Sequence, residues 1–146
     1  MFRHTLTTQI TIAAPAARVW QILTDFAAYP EWNPFIRSAQ GTPRPGETLT
    51  VHIGASGTKG MTFRPKVLSA TPERELRWLG HLAVPGLFDG EHLFTLNATA
   101  ATACVFQQSE AFRGLLVPLF RSALDRDTKR GFEEMNQALK ARAEAL

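Results

Sequence analysis

Apolar and polar residues follow two different spacing patterns along the chain, and each pattern indicates one kind of secondary structure. In residues 5–13 apolar and polar side chains alternate, as in a β-strand with one buried face. In residues 15–26 apolar side chains recur every three or four positions after a proline, which predicts a short amphipathic helix. We expect breaks at Tyr29-Pro30 and Asn33-Pro34 because proline disfavours the helical conformation in the residue before it, and we expect a second short helix here.

Six more strands are predicted between residues 36 and 112. Apolar side chains alternate within them, one strand covers residues 63–67, and one face of the sheet is rich in aromatic residues. Glycine, proline and asparagine mark the intervening turns, at residues 41–46, 54–60, 70–72, 85–86 and 97–101.

The C-terminal segment, residues 118–146, has the pattern of one long amphipathic helix. Its apolar side chains share one helical face, and Gly131 is its weakest helix former. At 1.5 Å per residue such a helix extends about 40 Å. The element order predicts an α+β fold, a single domain of residues 1–146 in which a curved, seven-stranded antiparallel sheet wraps around the terminal helix, with two short helices after the first strand.

Composition and charge narrow the class of protein. A chain of 146 residues with 45% hydrophobic residues can build one core, and its net charge of +3 is too small to favour nucleic acid. Cys104 is the only cysteine, which excludes an intramolecular disulfide and favours a reducing compartment. No segment has the pattern of a secretory signal or a transmembrane span, so we expect a soluble cytoplasmic protein without integral membrane association. The four histidines lack ligand-type spacing, and we expect no metal and no cofactor.

Several segments carry a motif pattern that spans most of the chain. Residues 12–20 contain IAAP followed by VW, residues 25–35 read DFAAYPEWNPF, and residues 88–94 and 106–114 read FDGEHLF and FQQSEAFRG. This pattern resembles the SRPBCC superfamily, the START and Bet v 1-like helix-grip proteins, and within it the polyketide cyclase/dehydrase-like branch. The resemblance implies a helix-grip fold around a hydrophobic tunnel that accepts lipids, sterols, polyketides or plant hormones.

A comparison within this superfamily argues against a hormone receptor. The plant abscisic acid receptors have a ligand-anchoring lysine in the segment that resembles residues 32–37, and a gapless alignment places Asn33 at that position. Their latch motif begins Gly-Glu-His, as do Gly90, Glu91 and His92 here, but the following Arg-Leu is absent.

His92 and Glu110 are the candidate catalytic residues. Strand parity places His92 on the same face as Phe94, and Glu110 and Gln108 on the same face as Phe106, so all three polar side chains are expected to point inward. A carboxylate is costly to bury unless it is paired, and His92 facing Glu110 across adjacent strands is the most plausible polar pair in the tunnel. The alternatives are anchoring of a ligand by the pair, pairing of Glu110 with an arginine, a purely structural pair, and exposure at the rim of the sheet, where His92 would bond to a backbone carbonyl.

The apolar walls of the tunnel are predicted from the aromatic positions, although core packing is the alternative for each of them. The ligand-binding candidates are Trp32, Asn33, Phe63, Trp78, His92, Phe94, Phe106, Gln108, Glu110, Phe112, Phe132 and Met135. Residues 54–60 are interpreted as a hairpin turn beside the tunnel mouth, and residues 85–88 as a lid with Leu87 and Phe88 at its tip.

The leading functional prediction is the binding of a small hydrophobic ligand, such as a lipid, a polyketide or another aromatic or isoprenoid-like molecule, in a tunnel between sheet and terminal helix. The first alternative is a polyketide cyclase/aromatase or dehydratase that uses the same tunnel, so whether the protein is an enzyme stays open. The second is a partner-binding or co-chaperone-like module. The sequence indicates no oligomeric state.

Overall fold

The computed structural model describes residues 2–145, which form eight strands, a group of short helices between the first and second strands, and a long helical segment after the eighth strand. The strands are β1 Arg3–Ile12, β2 Ile36–Gln40, β3 Thr50–Ile53, β4 Met61–Phe63, β5 Lys66–Thr71, β6 Glu75–His81, β7 Asp89–Ala100 and β8 Ala103–Arg113. The helices are α1 Ala16–Thr24, a 3-10 turn Phe26–Ala28, α2 Tyr29–Trp32, α3 Val117–Ala123, a π-helical segment Leu124–Thr128 and α4 Lys129–Glu144. None of these helices is long and apolar enough to cross a membrane.

The strands form two antiparallel sheets, which corrects the predicted single sheet of seven strands. One sheet has the order β1-β8-β7-β6-β5 and the other the order β2-β3-β4. The strand predicted over residues 63–67 is divided at Pro65, because proline has no N–H to donate to the ladder. The carbonyl of Pro65 accepts a hydrogen bond from the Leu49 N–H at 2.8 Å, and a bridge between Thr48 and Lys66 connects the two sheets at this point.

The N-terminal helices also differ from the prediction in where the chain breaks. Helix α1 ends at Thr24, because Asp25 has φ −84° and ψ 76°, outside the helical region. The predicted break at Tyr29-Pro30 is wrong, since Pro30 lies in the first turn of α2, where its fixed φ and missing N–H are tolerated. The Tyr29 hydroxyl donates a hydrogen bond to the Leu23 carbonyl, and its complete burial, together with nearby Asp25, raises its pKa so that it stays a donor.

The C-terminal helix runs through residues 117–144 but contains a π-helical turn that the sequence pattern did not predict. In the π segment the Lys129 N–H donates to the Leu124 carbonyl five residues earlier. Helix α4 packs across β1 and β8 and against α1, and its buried face consists of the predicted side chains together with one polar residue, Asn136. This α+β arrangement of a long terminal helix on an antiparallel sheet is helix-grip-like, as predicted.

The inner face of the five-stranded sheet has the predicted parity. The alternating residues Leu76 and Trp78 on β6, and His92 and Phe94 on β7, are buried. On the outer face of the same strands, Arg77 pairs with Glu91 at 2.7 Å. Alternation therefore predicted correctly which side chains face the helix.

Candidate ligand-binding cavity

A cavity of about 350 Å³ lies where both sheets meet α3 and the π segment. This volume falls within the range of small-ligand pockets. Its walls are mainly apolar, and six aromatic side chains contribute to them: Phe35, Phe63, Trp78, Phe88, Phe112 and Phe120. Phe88 stacks on Phe112 with ring centroids 5.5 Å apart and meets Phe120 edge-on at 5.1 Å.

Two glycines create the space on the sheet side of the cavity. Gly80 on β6 and Gly90 on β7 are direct partners in the ladder, and both belong to the inward-facing positions of their strands. Because neither has a side chain, the sheet presents bare backbone where the next inward pair, Trp78 and His92, presents two rings. The helix side is formed in part by Ala123, whose side chain is small.

Glu110 is the carboxyl group on the sheet side of the cavity. It lies on β8 directly opposite His92 on β7, and its side chain is 17% exposed. A β-carbon at Gly90 would collide with Glu110 Oε2, so the glycine provides the room in which the carboxyl group lies. The register thus brings together the two residues that were predicted as a polar pair.

A chain of buried hydrogen bonds runs from Glu110 to the helix. Glu110 Oε1 lies 3.2 Å from His92 Nδ1, and His92 Nε2 lies 2.9 Å from Gln108 Oε1. Gln108 Nε2 donates to Asn136 Oδ1 at 2.9 Å, and Asn136 Nδ2 donates to Thr8 Oγ1 at 2.9 Å. We call these five residues the polar relay. His92, Gln108 and Asn136 are each at most 3% exposed, so the relay is closed to solvent except at Glu110.

The relay fixes the tautomer of His92. The Gln108 amide nitrogen faces both Asn136 Oδ1 and the backbone carbonyl of Phe132, at 3.4 Å, and a backbone carbonyl can only accept. The Gln108 oxygen therefore faces His92, and His92 Nε2 must carry a hydrogen to donate to it. Nδ1 is left facing Glu110 Oε1 at 3.2 Å, so a hydrogen bond between these two atoms requires a hydrogen on one of them.

Other polar side chains also line the cavity, among them His81 and Asp127. His81 Nδ1 contacts Asp89 Oδ1 at 2.7 Å, and Asp89 accepts from the Gly86 N–H, which fixes the β6–β7 loop. On the π segment, the Arg126 guanidinium holds the pKa of the Asp127 carboxyl below its ordinary value, so that this group stays ionised. Within residues 2–145 there is no group of three His, Cys, Asp or Glu side chains that could hold a metal ion.

Only some of the predicted ligand-binding residues line the cavity. These are Phe63, Trp78, Glu110 and Phe112. His92 and Gln108 lie behind Glu110 in the relay and do not line it. The buried side chains of Phe94, Phe106, Phe132 and Met135 fill the layer where α4 closes on the sheet, which leaves no space for a ligand there.

The two predicted candidates near α2 also lie away from the cavity. Asn33 is buried in the turn after α2, where Oδ1 accepts from the backbone N–H of Phe35 at 3.0 Å and of Ile36 at 2.9 Å. This is a turn-stabilising contact typical of asparagine. Trp32 lines a separate shallow cleft beside the end of α4.

Several residues that shape the site were not predicted. The ladder pair of glycines and the helix residue Phe120 belong to the wall, and Thr8 and Asn136 complete the relay. A polar residue on the apolar face of the terminal helix, as Asn136 is, was the available signal for the relay. The β3–β4 hairpin at residues 54–60 flanks the cavity as expected, whereas Phe88 packs into the wall instead of standing at an exposed tip.

The family model that describes polyketide cyclases/dehydrases and lipid transport matches residues 3–144. The chain belongs to this family. No curated protein matches the sequence of this family member.

Solved structures share the fold of this polyketide cyclase/dehydrase family member at low sequence identity. The Zhui aromatase/cyclase from Streptomyces sp. R1128 has a TM-score of 0.80 and 17% identity, over 98% of this chain and 94% of that chain. A START superfamily protein from Mycobacterium smegmatis has a TM-score of 0.74 and 21% identity, over 97% of both chains. A Thalictrum flavum norcoclaurine synthase mutant in complex with a transition state analogue has a TM-score of 0.72 and 13% identity, over 97% of this chain and 94% of that chain.

Proposed function

We propose that the protein binds a small, largely apolar molecule in this cavity, with Glu110 as the polar contact in the wall. The observation that carries the proposal is an aromatic-walled space of about 350 Å³ in which Glu110 is the carboxyl group on the sheet side. A few convergent polar groups in an apolar pocket are typical of small-molecule sites. The limited volume favours a compact aromatic or isoprenoid ring system over a complete membrane lipid. The family description, which includes lipid transport, supports this class of ligand.

A glycine variant in the cavity wall and a control outside it test the binding proposal. In Gly90→Ala the new methyl group displaces the Glu110 carboxyl, whereas Leu68→Ser changes an exposed side chain on β5 that does not line the cavity. We expect the neutral fluorescent probe N-phenyl-1-naphthylamine to bind the native protein, to lose at least tenfold in affinity with Gly90→Ala, and to change by no more than about twofold with Leu68→Ser. The absence of probe binding, or equal losses in both variants, would contradict the proposal.

The polar relay supports a second candidate function, acid–base catalysis of the cyclase or dehydratase type. A hydrogen-bonded His92–Glu110 pair beside an apolar cavity has the groups needed to donate a proton to a ligand oxygen or to accept one from a ligand carbon. The relay orients the imidazole so that Nδ1 faces Glu110, the member of the pair that lines the cavity. An aromatase/cyclase among the structural neighbours agrees with this candidate.

A proton-abstraction probe separates the enzyme from the binding protein without knowledge of the substrate. 5-Nitrobenzisoxazole opens when a base removes its carbon-bound proton: the C–H electrons form a nitrile, the N–O bond breaks, and the oxygen leaves as a phenolate. We expect native protein to accelerate this reaction and Glu110→Gln to lose at least tenfold of the rate while it still binds N-phenyl-1-naphthylamine. Glu91→Gln, which changes a carboxylate on the outer face of β7, is the control and should keep the rate. If the native protein shows no acceleration, catalysis by the pair is wrong and the binding proposal stands separately.

A further inference from the structure

Exposed apolar side chains are concentrated at one end of the molecule. Phe2, Val84, Leu115 and Leu119 are 52%, 58%, 65% and 73% exposed, and they are four of the six large hydrophobic side chains that are exposed within residues 2–145. We call these four residues the end patch. Single exposed hydrophobic residues are ordinary, but a cluster of them marks an interaction surface.

Backbone hydrogen bonds hold the three segments of the end patch side by side. The Gly114 N–H donates to the Phe2 carbonyl at 3.0 Å, and the Leu115 N–H donates to the Gly86 carbonyl at 3.2 Å, two residues after Val84. A β-carbon at Gly114 would collide with the backbone of Leu87, so the β6–β7 loop and the β8–α3 turn pack as closely as a glycine allows. The end patch therefore belongs to an ordered surface formed by the N-terminus, one loop and the start of α3.

Arginine is the charged residue type within the segments that form the end patch. Segments 2–4, 82–88 and 113–122 contain no aspartate or glutamate, and they contribute the exposed arginines Arg3, Arg113 and Arg121. The Arg121 side chain donates to the Arg3 carbonyl at 3.3 Å, which places it beside the N-terminal segment. Two acidic residues border these segments, and each is paired with a histidine, Asp89 with His81 and Asp125 with His4.

We propose that the end patch docks the protein on the surface of an anionic lipid bilayer. Aliphatic and phenyl side chains surrounded by arginines match the membrane interface, where the apolar groups enter the acyl boundary and the guanidinium groups bind lipid phosphates. Docking does not depend on the proposed ligand. The same segments also contribute Leu82, Phe88 and Phe120 to the cavity wall, so the docked surface lies on the outer side of that wall.

Vesicle co-sedimentation tests the docking proposal. We expect the native protein to bind vesicles of phosphatidylcholine mixed with phosphatidylglycerol, to bind pure phosphatidylcholine vesicles more weakly, and to be released by high salt. The double variant Leu115→Ser/Leu119→Ser should lose at least tenfold in partitioning, because two leucines no longer enter the acyl boundary. Arg121→Gln should lose about fivefold, the contribution of one arginine near an anionic surface.

A matched variant and a self-association measurement make the test decisive. Leu68→Ser removes an exposed leucine on β5, outside the end patch, and should partition as the native protein does. The proposal is overturned if native protein does not bind the anionic vesicles, or if Leu68→Ser weakens binding as much as the double variant. It is also overturned if sedimentation equilibrium shows a dimer that Leu115→Ser/Leu119→Ser dissociates, since the end patch would then contact a second copy of the chain. If the double variant fails to fold, Arg121→Gln and the salt dependence test the proposal instead. Unchanged binding of Arg121→Gln together with binding that high salt does not weaken would overturn it.

Discussion

The two ends of the layer between the five-stranded sheet and the C-terminal helix are filled differently. Under α4 the side chains of Phe94, Phe106, Phe132 and Met135 are all fully buried and leave a dry core. Under α3 and the π segment the same sheet borders a cavity of about 350 Å³. Both ends are apolar, so hydrophobicity alone does not distinguish a core from a binding site.

Side-chain volume makes the difference. Along the β6–β7 ladder the inward pairs change from Leu76 with Phe94, through Trp78 with His92, to Gly80 with Gly90. On the helix side Gly131 has the opposite effect, because a β-carbon there would collide with the Phe35 ring. Because Gly131 has no β-carbon, the Phe35 ring packs edge-on against the Phe132 ring, with centroids 5.3 Å apart. The two rings fill the layer between sheet and helix at the α4 end. The glycines therefore have opposite effects: Gly80 and Gly90 leave space for the cavity, whereas Gly131 lets an aromatic ring fill the space beside it.

The largest predicted effect contrasts one phenylalanine from each end. Phe132→Ala should lower the free energy of unfolding by about 3–5 kcal/mol, because it removes a fully buried ring from a filled core. Phe120→Ala should cost about 1 kcal/mol, because its half-buried ring borders an existing cavity and loses mainly its edge contact with Phe88. Urea denaturation of both variants measures the difference, and equal losses would mean that the two ends do not differ in packing.

Periodicity predicted the fold well because it reports which face a side chain occupies. It placed Trp78, His92 and Phe94 on the inner face and identified the terminal helix. It did not predict the division of the strand at Pro65, although the missing N–H of proline was visible in the sequence. The π-helical turn left no periodic signal, because the buried residues Leu124, Gly131 and Phe132 keep the spacings of seven and eight that an uninterrupted helix also has.

The candidate site was predicted less completely than the fold. Strand parity shows which face of the sheet a side chain occupies, but it does not show how closely the helix packs on that face. Glu110 and His92 were expected to face each other, and they are ladder partners at 3.2 Å between Oε1 and Nδ1. Phe94 and Phe106 have the same parity, yet they are fully buried in the core that also contains Phe132 and Met135 of α4. Where the helix contacts the sheet depends on the sizes of residues from distant segments, which a local pattern does not report.

The second predicted effect concerns the polar relay, which connects the two ends. Gln108→Leu or Asn136→Leu leaves a buried hydrogen-bonding partner unsatisfied, so each should lower the free energy of unfolding by about 1–3 kcal/mol. The double variant should cost less than the sum, because it removes both members of the Gln108–Asn136 bond together. A double-mutant cycle by urea denaturation measures this coupling.

The polar relay also predicts the tautomer of His92, which NMR can measure and which a change in packing alone would not alter. In native protein the ring nitrogens of His92 should show a protonated Nε2 by nitrogen-15 NMR, because Gln108 Oε1 accepts from it. Gln108→Leu should remove this preference. Strictly additive energies together with an unchanged nitrogen signal would show that the relay does not position His92.

The smallest predicted effect comes from the outer face of β6, which belongs to neither end of the layer. Glu75 Oε2 accepts from the Ser69 hydroxyl at 2.5 Å and contacts Arg77 Nε at 3.3 Å. The Ser69 hydrogen bond, followed by the contribution of Arg77, lowers the pKa of the Glu75 carboxyl despite an opposing effect of burial. Because the folded pKa is depressed, Glu75 contributes stability above its unfolded pKa and loses it as the pH falls through the folded pKa.

Native protein should therefore exceed Glu75→Gln in the free energy of unfolding at pH 7, and the difference should vanish at a pH below the folded pKa. The difference should stay below about 1 kcal/mol, because the side chain is a third exposed and solvent screens the ion pair. Ser69→Ala should reduce the difference at pH 7, since it removes the largest cause of the pKa shift. If Glu75→Gln follows the native protein at every pH, the cluster contributes nothing to stability, and the energy of the fold lies in the filled end of the layer and the relay.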